Sequence, residues 1–451
     1  MIDHFTRRQF LRQTSFGIAG LALAAGGYSG LYGGIVKKTG TPAYLGGTPV
    51  RKGPFAEWPI TDKNDLEMYI QAFKEKNWSQ FMHSEEETML QFEKDYAQLL
   101  DVKHCATTNA GTLALSAALT AVGVGPGDEV IVPTNTFVAT AQSVYNLYAM
   151  AVYVDTDPRT FMIDPDKIEE KINENTKAIL PVHIGGGSCD MDKIMALAEK
   201  YDLAVIEDAC QAHMGEWRGK KLGTIGDLGC FSFQEYKSIT AGEGGAIVGN
   251  DDELMNYCHA YKNNGRDPRD EREYPGTNLR MTAFQIAVVR GQLRHAQDFQ
   301  SRREENATHL EKLLKDIAGI TPAEKYDGQT RRAYYGYYLL YDKSKFDNMS
   351  RDTFVRAIRA EGVSIGEGCD TLNRDEVVRT YLELPHFQKL FSSERISKFW
   401  DANHCPNNDM LANETGLSLP QPVFLGTKKD IEELVAAMAK IQTHAKEINA
   451  A

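Results

Sequence analysis

Between Val102 and Val248 the chain carries short, mostly apolar runs of four or five residues at Val102–Ala106, Glu129–Val132, Ala151–Val154, Ala178–Val182, Leu203–Glu207, Gly229–Phe233 and Gly245–Val248. Apolar runs of this length predict buried strands. Stretches with helical spacing separate the earlier ones, and strands alternating with helices call for an α/β architecture: a mostly parallel sheet covered on both faces. Thr107–Thr112 is expected to turn the first strand into a helix over Leu113–Val122. Upstream, the spacing predicts helices over Asp65–Lys76 and Ser84–Leu100, the second with acidic residues early. Lys37–Pro59, rich in Gly and Pro, reads as a linker lying over the sheet domain. Beyond Gln300 the pattern changes. A long charged helical stretch spans Gln285–Leu314, a Tyr-rich strand is predicted over Ala333–Tyr341, and helices follow near Ser350–Ala360 and Lys428–His444.

The chain has 451 residues, long enough for two or more domains and a large core. Its net charge of -12 argues against nucleic-acid binding, because no basic stripe is present to neutralise phosphates. The 7 cysteines contain no CxxC pair and no metal-ligand spacing, so no metal site is expected. Thr6–Arg12 reads as a twin-arginine export pattern, followed by the mildly apolar Phe16–Ala25 and small residues where a peptidase cuts. That apolar stretch is about half of what a bilayer core requires, so a periplasmic or extracytoplasmic destination without a stable transmembrane span is expected. An uncleaved signal would still tether the protein.

The candidate chemistry centres on Gly229–Gly245, GCFSFQEYKSITAGEGG, which contains a single lysine, Lys237. Gly242, Gly244 and Gly245 allow close approach to the backbone, and Ser232 offers a hydroxyl to an anion. Taken alone, Lys237 is either a solvated loop lysine or an amine held at a strand end beside a phosphate contact, as a Schiff base with pyridoxal phosphate requires. Leu203–Glu207 runs directly into Asp208, which places a carboxylate where open α/β sheets bind ligands. Asp208 is either the cap of a following helix or the partner of a cofactor's pyridine nitrogen, whose pKa an opposite charge shifts by about 1 to 3 units. The helix start at Gly111 and Thr112 has free N–H groups and a positive dipole suited to phosphate; an N-cap without a ligand is the plainer reading. Phe137, from pattern alone, reads as core. His183 and His213, near strand ends, read as structural histidines and are left out of the catalytic set.

Several segments in one order, GTLALSAAL (Gly111–Leu119), GVGPGDEVIVPTNTFVAT (Gly123–Thr140), EDACQAH (Glu207–His213), FSFQEYKSITAGEGG (Phe231–Gly245) and NLRM (Asn278–Met281), resemble the DegT/DnrJ/StrS aminotransferases. These are fold-type I pyridoxal-phosphate enzymes that act on keto-sugars and keto-cyclitols. The resemblance runs from Leu45 to the C-terminus. With the twin-arginine signal and linker expected over residues 1–36, the resemblance implies an N-terminal segment and large cofactor-binding domain over 37–295 and a smaller α+β domain over 296–451.

For the site, the resemblance implies that Lys237 forms the Schiff base with pyridoxal 5'-phosphate and that Asp208 faces the pyridine nitrogen. Gly111 and Thr112 inherit the phosphate loop with Ser232 nearby, Phe137 the aromatic position over the cofactor, and Gln211 the contact near its phenolic oxygen. Asn278 is expected to reach the cofactor phosphate of a neighbouring subunit, which implies a homodimer with shared active sites. The amino donor implied is glutamate or glutamine. LGGTPVRKGPFAEWP and the C-terminal ETGLSLPQPVFLGTKKDIEELVAAMAKI resemble the subgroup that aminates inososes. Two departures stand out: Ala110 replaces the family's serine before Gly111, and Gly185–Gly187 replace its Tyr-Gly pattern, so an emptier and more mobile substrate wall is expected there. The rival readings are a related dehydratase, which carries histidine in place of the lysine, and an exported binding or sensory homologue without turnover.

Overall fold

Alternate residues of the central strands face opposite sides of one sheet, and both sides are buried, as a sheet sandwiched between helices requires. In the computed structural model, which describes residues 40–79, 88–266 and 274–451, Ile131, Val205, Phe231 and Val248 enter one core. Their neighbours Val130, Val132, Ile206, Cys230 and Ile247 enter a second. The expected export signal and residues 84–87 of the second expected helix lie outside the described residues.

Every expected strand forms, within two or three residues. They are β1 (His104–Thr108), β2 (Glu129–Pro133), β3 (Met150–Val154), β4 (Thr176–Ile179) and β5 (Ala204–Asp208), then, after the two-residue pieces β6 (Glu216–Trp217) and β7 (Lys220–Lys221), β8 (Leu228–Ser232) and β9 (Gly245–Gly249). The sheet order is β1-β9-β8-β5-β4-β2-β3. β9 runs antiparallel to β1 and β8, and the pairs from β8 to β3 are parallel. β4 stops at Ile179 instead of Val182 because Pro181 brings no N–H to the ladder.

The C-terminal part supplies β10 (Ile320–Pro322), β11 (Gln329–Arg331), β12 (Gly336–Tyr341), β13 (Gly366–Glu367) and β14 (Gly416–Pro420). β10-β12-β14-β13 form an antiparallel sheet, and β11 joins β6 and β7 in a small one. β12 starts later than expected because Tyr334 takes a left-handed conformation, φ 55°. Its alternation is sharp: Tyr337, Leu339 and Tyr341 enter a third core, while Tyr338 stacks on Phe161 on the other face with ring centroids 4.8 Å apart.

The helix Ala283–Leu314 ties these layers together. Thr282 and Gln285 cap its start reciprocally. Ile286, Val289 and Ala296 pack in the first core, and Ala307, Leu310 and Leu314 in the third. The 295/296 boundary therefore falls inside one continuous helix. Two further segments cross it. Residues 372–405 return to the large sheet, where Asn403 Oδ1 accepts from the N–H of Tyr153 on edge strand β3 at 2.6 Å and Phe387 and Phe399 fill the second core.

The second segment overturns an expectation in part. Residues 43–51 of the stretch read as a linker over the sheet domain pack on the C-terminal core, while Trp58 reaches the loop after β8. The buried carboxylate of Glu361 accepts from the N–H groups of Ala43 and Val50 at 2.7 and 2.9 Å and from Lys440 Nζ at 3.0 Å. Arg51 adds ion pairs to Asp430 and Glu433 at 2.6 and 2.7 Å. Among the described residues, no helix is long and apolar enough to cross a membrane.

Candidate active site

Ser232 ends β8, and the loop that follows carries Lys237 back toward β9. Positive φ values at Gly242 and Gly244, 81° and 158°, let the chain reverse, and the Lys237 N–H closes a turn on Gln234 O at 2.8 Å. The Lys237 side chain is buried, not solvated. Its Nζ lies 4.5 Å from the ring centroid of Tyr335, a residue of the C-terminal part.

Asp208 ends β5, next to β8 in the sheet. No helix follows it, so the helix-cap reading falls away; its Oδ1 accepts from Cys210 N–H two residues on, at 3.2 Å. The other oxygen, Oδ2, accepts from Thr140 Oγ1 at 2.8 Å. Thr136 Oγ1 lies 2.8 Å from that same hydroxyl. A carboxylate only accepts, so Thr140 donates to Asp208 and takes its own hydrogen bond from Thr136. Between the two charged groups in its surroundings, burial pushes the Cys210 thiol up, Asp208 adds to the rise, and Lys237 opposes it.

The third element is the helix Gly111–Ala121. Its N-cap, Ala110, has no side chain with which to cap the first turn, which leaves donors for an anion. Gly111 is needed for contact: a Cβ there would lie 2.7 Å from Ser232 Cβ and 3.1 Å from Cys210 Sγ. Gly111, Thr112, Ser232, Asp208 and Lys237 thus share one site. Ser238 Oγ and Asn109 Oδ1, both buried beside it, lack a hydrogen-bond partner among the described residues, as polar groups waiting for a ligand do.

Residues 61–390 match the DegT/DnrJ/EryC1/StrS aminotransferase family. The chain belongs to this family. It is 32% identical over 420 residues to the L-glutamine:2-deoxy-scyllo-inosose aminotransferase of Streptoalloteichus tenebrarius, covering 90% of this chain and 98% of that one. It is 35% identical over 390 residues to the GDP-perosamine synthase of Caulobacter vibrioides, covering 85% and 96%. Among solved structures, the aminotransferase from Psychrobacter cryohalolentis is similar with a TM-score of 0.76 and 30% identity, over 87% of this chain and 100% of that one. The chain is an aminotransferase with this family's α/β fold.

The other anticipated residues differ in burial and contacts. Gln211 is buried and its Oε1 accepts from Gly185 N–H at 2.8 Å, which leaves the amide nitrogen as its donor to a bound group. Phe137 is 61% exposed, so it is not the core residue its pattern suggests. Asn278 is exposed as well, and its neighbour Leu279 accepts from Asn109 N–H at 2.8 Å, which sets this segment against the loop before Gly111.

The wall at Gly185–Gly187 is filled, contrary to expectation. All three glycines are buried, and a Cβ would meet Tyr338 at 2.5 Å from Gly185, Ala333 at 2.8 Å from Gly186 and Met162 at 2.5 Å from Gly187. The missing side chains are replaced by residues from elsewhere in the chain.

Both histidines are structural. His183 Nδ1 accepts from Cys189 N–H at 3.2 Å, so Nε2–H donates to Glu207 Oε2 at 2.8 Å. Burial pushes the Glu207 carboxyl up, but His183 and the amides of Gly226 and Gly223 outweigh it and hold the group below its ordinary range. His213 Nε2–H donates to Ser232 O and Nδ1 accepts from Tyr96, both at 2.8 Å. Burial depresses the His213 pKa to about 4, with Lys237 and Arg303 adding to the fall against the hydrogen bond to Ser232. It is a neutral brace under Ser232.

Sequence reasoning missed Thr140, Thr136, Tyr335 and Ser238. Thr140 and Thr136 lie within PTNTFVAT, and Ser238 directly follows Lys237, yet nothing local shows that a hydroxyl 68 residues away meets Asp208.

Proposed function

We propose that this aminotransferase binds pyridoxal 5'-phosphate through a covalent bond to Lys237 and moves an amino group from glutamate or glutamine to a ketone on a cyclitol or sugar. The observation that carries this reading is one site holding a buried lysine, a buried carboxylate with a hydroxyl fixed on it, and an uncapped helix start. The residues present fit the group: the N–H groups at Gly111 and Thr112 with Ser232 suit its phosphate, Asp208 its ring nitrogen, and the Gln211 amide its phenolic oxygen. Bound there, the cofactor supplies an electron sink for the carbanion of amino transfer. Lys237 Nζ serves as general base and acid for the proton moved at the reacting carbon. Asp208, fixed as an acceptor by Thr140, holds a positive charge on the ring nitrogen. The keto-cyclitol class is supported by the inosose named for one relative and the keto-sugar class by the perosamine named for the other.

A homodimer in which Asn278 serves the neighbouring subunit's site belongs to the same proposal, as does export directed by Thr6–Arg12. Sedimentation and reporter fusions to residues 1–36 test these two. For the chemistry, purified protein given pyridoxal 5'-phosphate is expected to turn yellow, to bleach with glutamine or glutamate, and to recover colour with a 2-deoxy-inosose or a nucleotide-linked keto-sugar. Lys237→Ala is expected to abolish the cycle. A wild-type protein that takes up no cofactor overturns the reading.

A further inference from the structure

The turn before Lys237 is held from outside its own loop at two carbonyls. Trp58 Nε1–H donates to Glu235 O at 2.7 Å, and Gln421 Nε2–H donates to Tyr236 O at 2.8 Å. The side chain of Tyr236 is 64% exposed, so packing of its ring does not fix the turn. Gln421 directly follows β14 and is buried.

Its amide has only one workable orientation. Arg303, on the helix Ala283–Leu314, donates from Nη2 to Gln421 Oε1. A guanidinium has donors and no acceptor, so the amide oxygen must face Arg303 and the amide nitrogen must face the loop. Arg303 is 1% exposed, and its Cζ lies 5.5 Å from the centroid of the Trp58 ring. Burial pulls its pKa down to about 9. A buried arginine, a buried glutamine and a tryptophan from the N-terminal segment thus form one cluster, and its two outward donors end on the carbonyls immediately before Lys237.

We propose that Arg303 and Gln421 are positioning residues for Lys237: Arg303 sets the Gln421 amide, and Gln421, with Trp58, fixes the turn from which Nζ reaches its reaction partner. The catalytic consequence rests on the cofactor reading given above; the restraint on the loop does not. An alternative in which Gln421 merely satisfies a core arginine makes a different forecast, global loss of stability without a local change.

Gln421→Glu separates the two. Glutamate still accepts from Arg303, with a charge-assisted bond, but offers Tyr236 O no donor. Gln421→Leu removes both bonds at similar volume. The measurement is backbone amide exchange on the full-length, cofactor-free protein, read over residues 236–239 and, as a control, over β5 and β8. Loss of one hydrogen bond is expected to speed exchange over 236–239 by about five- to tenfold in both variants, with the control strands unchanged. In the loaded enzyme, weaker cofactor retention and a lower kcat at unchanged KM for the acceptor are expected. Exchange over 236–239 that matches wild type in both variants, or that rises equally in β5 and β8, overturns the proposal. Borohydride trapping of the cofactor on wild-type Lys237 is run beside it: failure there removes the cofactor reading and leaves the exchange result to decide the strap alone.

Discussion

The bond from Thr140 to Asp208 gives the sharpest test of how the site works. Asp208 is 4% exposed, and Oδ2 takes its hydrogen bond from Thr140 at 2.8 Å while Oδ1 has a longer one, 3.2 Å, from Cys210 N–H. Thr140→Val replaces the hydroxyl with a methyl of nearly the same size, so packing is kept and the donor is lost. A hydrogen bond to a charged group contributes about 1.5–3 kcal/mol, and a buried acceptor left bare loses that along with its hydration. The loss falls on the ionised form of Asp208, the form the ring nitrogen needs. Asp208 then loses the hydroxyl that fixes Oδ2 in place, and the rate of amino transfer is expected to fall about ten- to a hundredfold. The assay is the half-reaction with glutamine, followed by stopped-flow absorbance across pH, with Thr140→Ser as the control that keeps Oγ. Serine is expected to restore most of the rate. A Thr140→Val enzyme within twofold of wild type, or a serine variant as slow as the valine, refutes the reasoning.

Gly111→Ala is expected to destabilise the protein by about 1–3 kcal/mol, because the new Cβ would lie 2.7 Å from Ser232 Cβ, which a strand holds in place; urea denaturation and cofactor titration read this, the second showing a displaced helix start. His213 gives a pH signature. Its pKa is about 4 in the fold against 6.5 for an ordinary histidine, so the unfolded chain binds more protons between those values. Its contribution to stability is fully present above about pH 6.5 and lost as the pH falls toward 4, about 3 kcal/mol in all; His213→Gln is expected to flatten the fall of the denaturation midpoint over that range. Gly185→Ala, at φ 60° and 2.5 Å from the Tyr338 ring, is expected to displace that ring and raise KM for the acceptor more than for the amino donor.

What the sequence showed well is what depends on neighbours along the chain. Strand runs with both faces apolar, a lysine after β8, an acid at the end of β5 and a glycine at a helix start are local facts, and the sheet brings them together because β5 and β8 are adjacent. What it hid depends on side chains meeting across the fold. Thr140 and Asp208 are 68 positions apart. Glu361 captures Ala43 from 318 positions away, and no composition rule distinguishes a Gly- and Pro-rich segment draped over a sheet from one tied to a buried carboxylate.

The glycine wall shows why such contacts bear on specificity. Three glycines in a row suggest space, since each lacks a side chain; in the fold that space is taken by Tyr338 and Ala333, from β12 and the bend before it. The same bend delivers Tyr335 to Lys237, and the Ala333 N–H bonds Gly186 O at 2.8 Å, locking the bend to the wall. One short segment of the C-terminal part therefore shapes the wall and lies against Lys237. A bulkier residue in the wall would push against that segment, and through it against Tyr335. Changes of acceptor in this fold are therefore expected to require paired substitutions in 185–186 and 333–338, because either alone meets the other's backbone or ring.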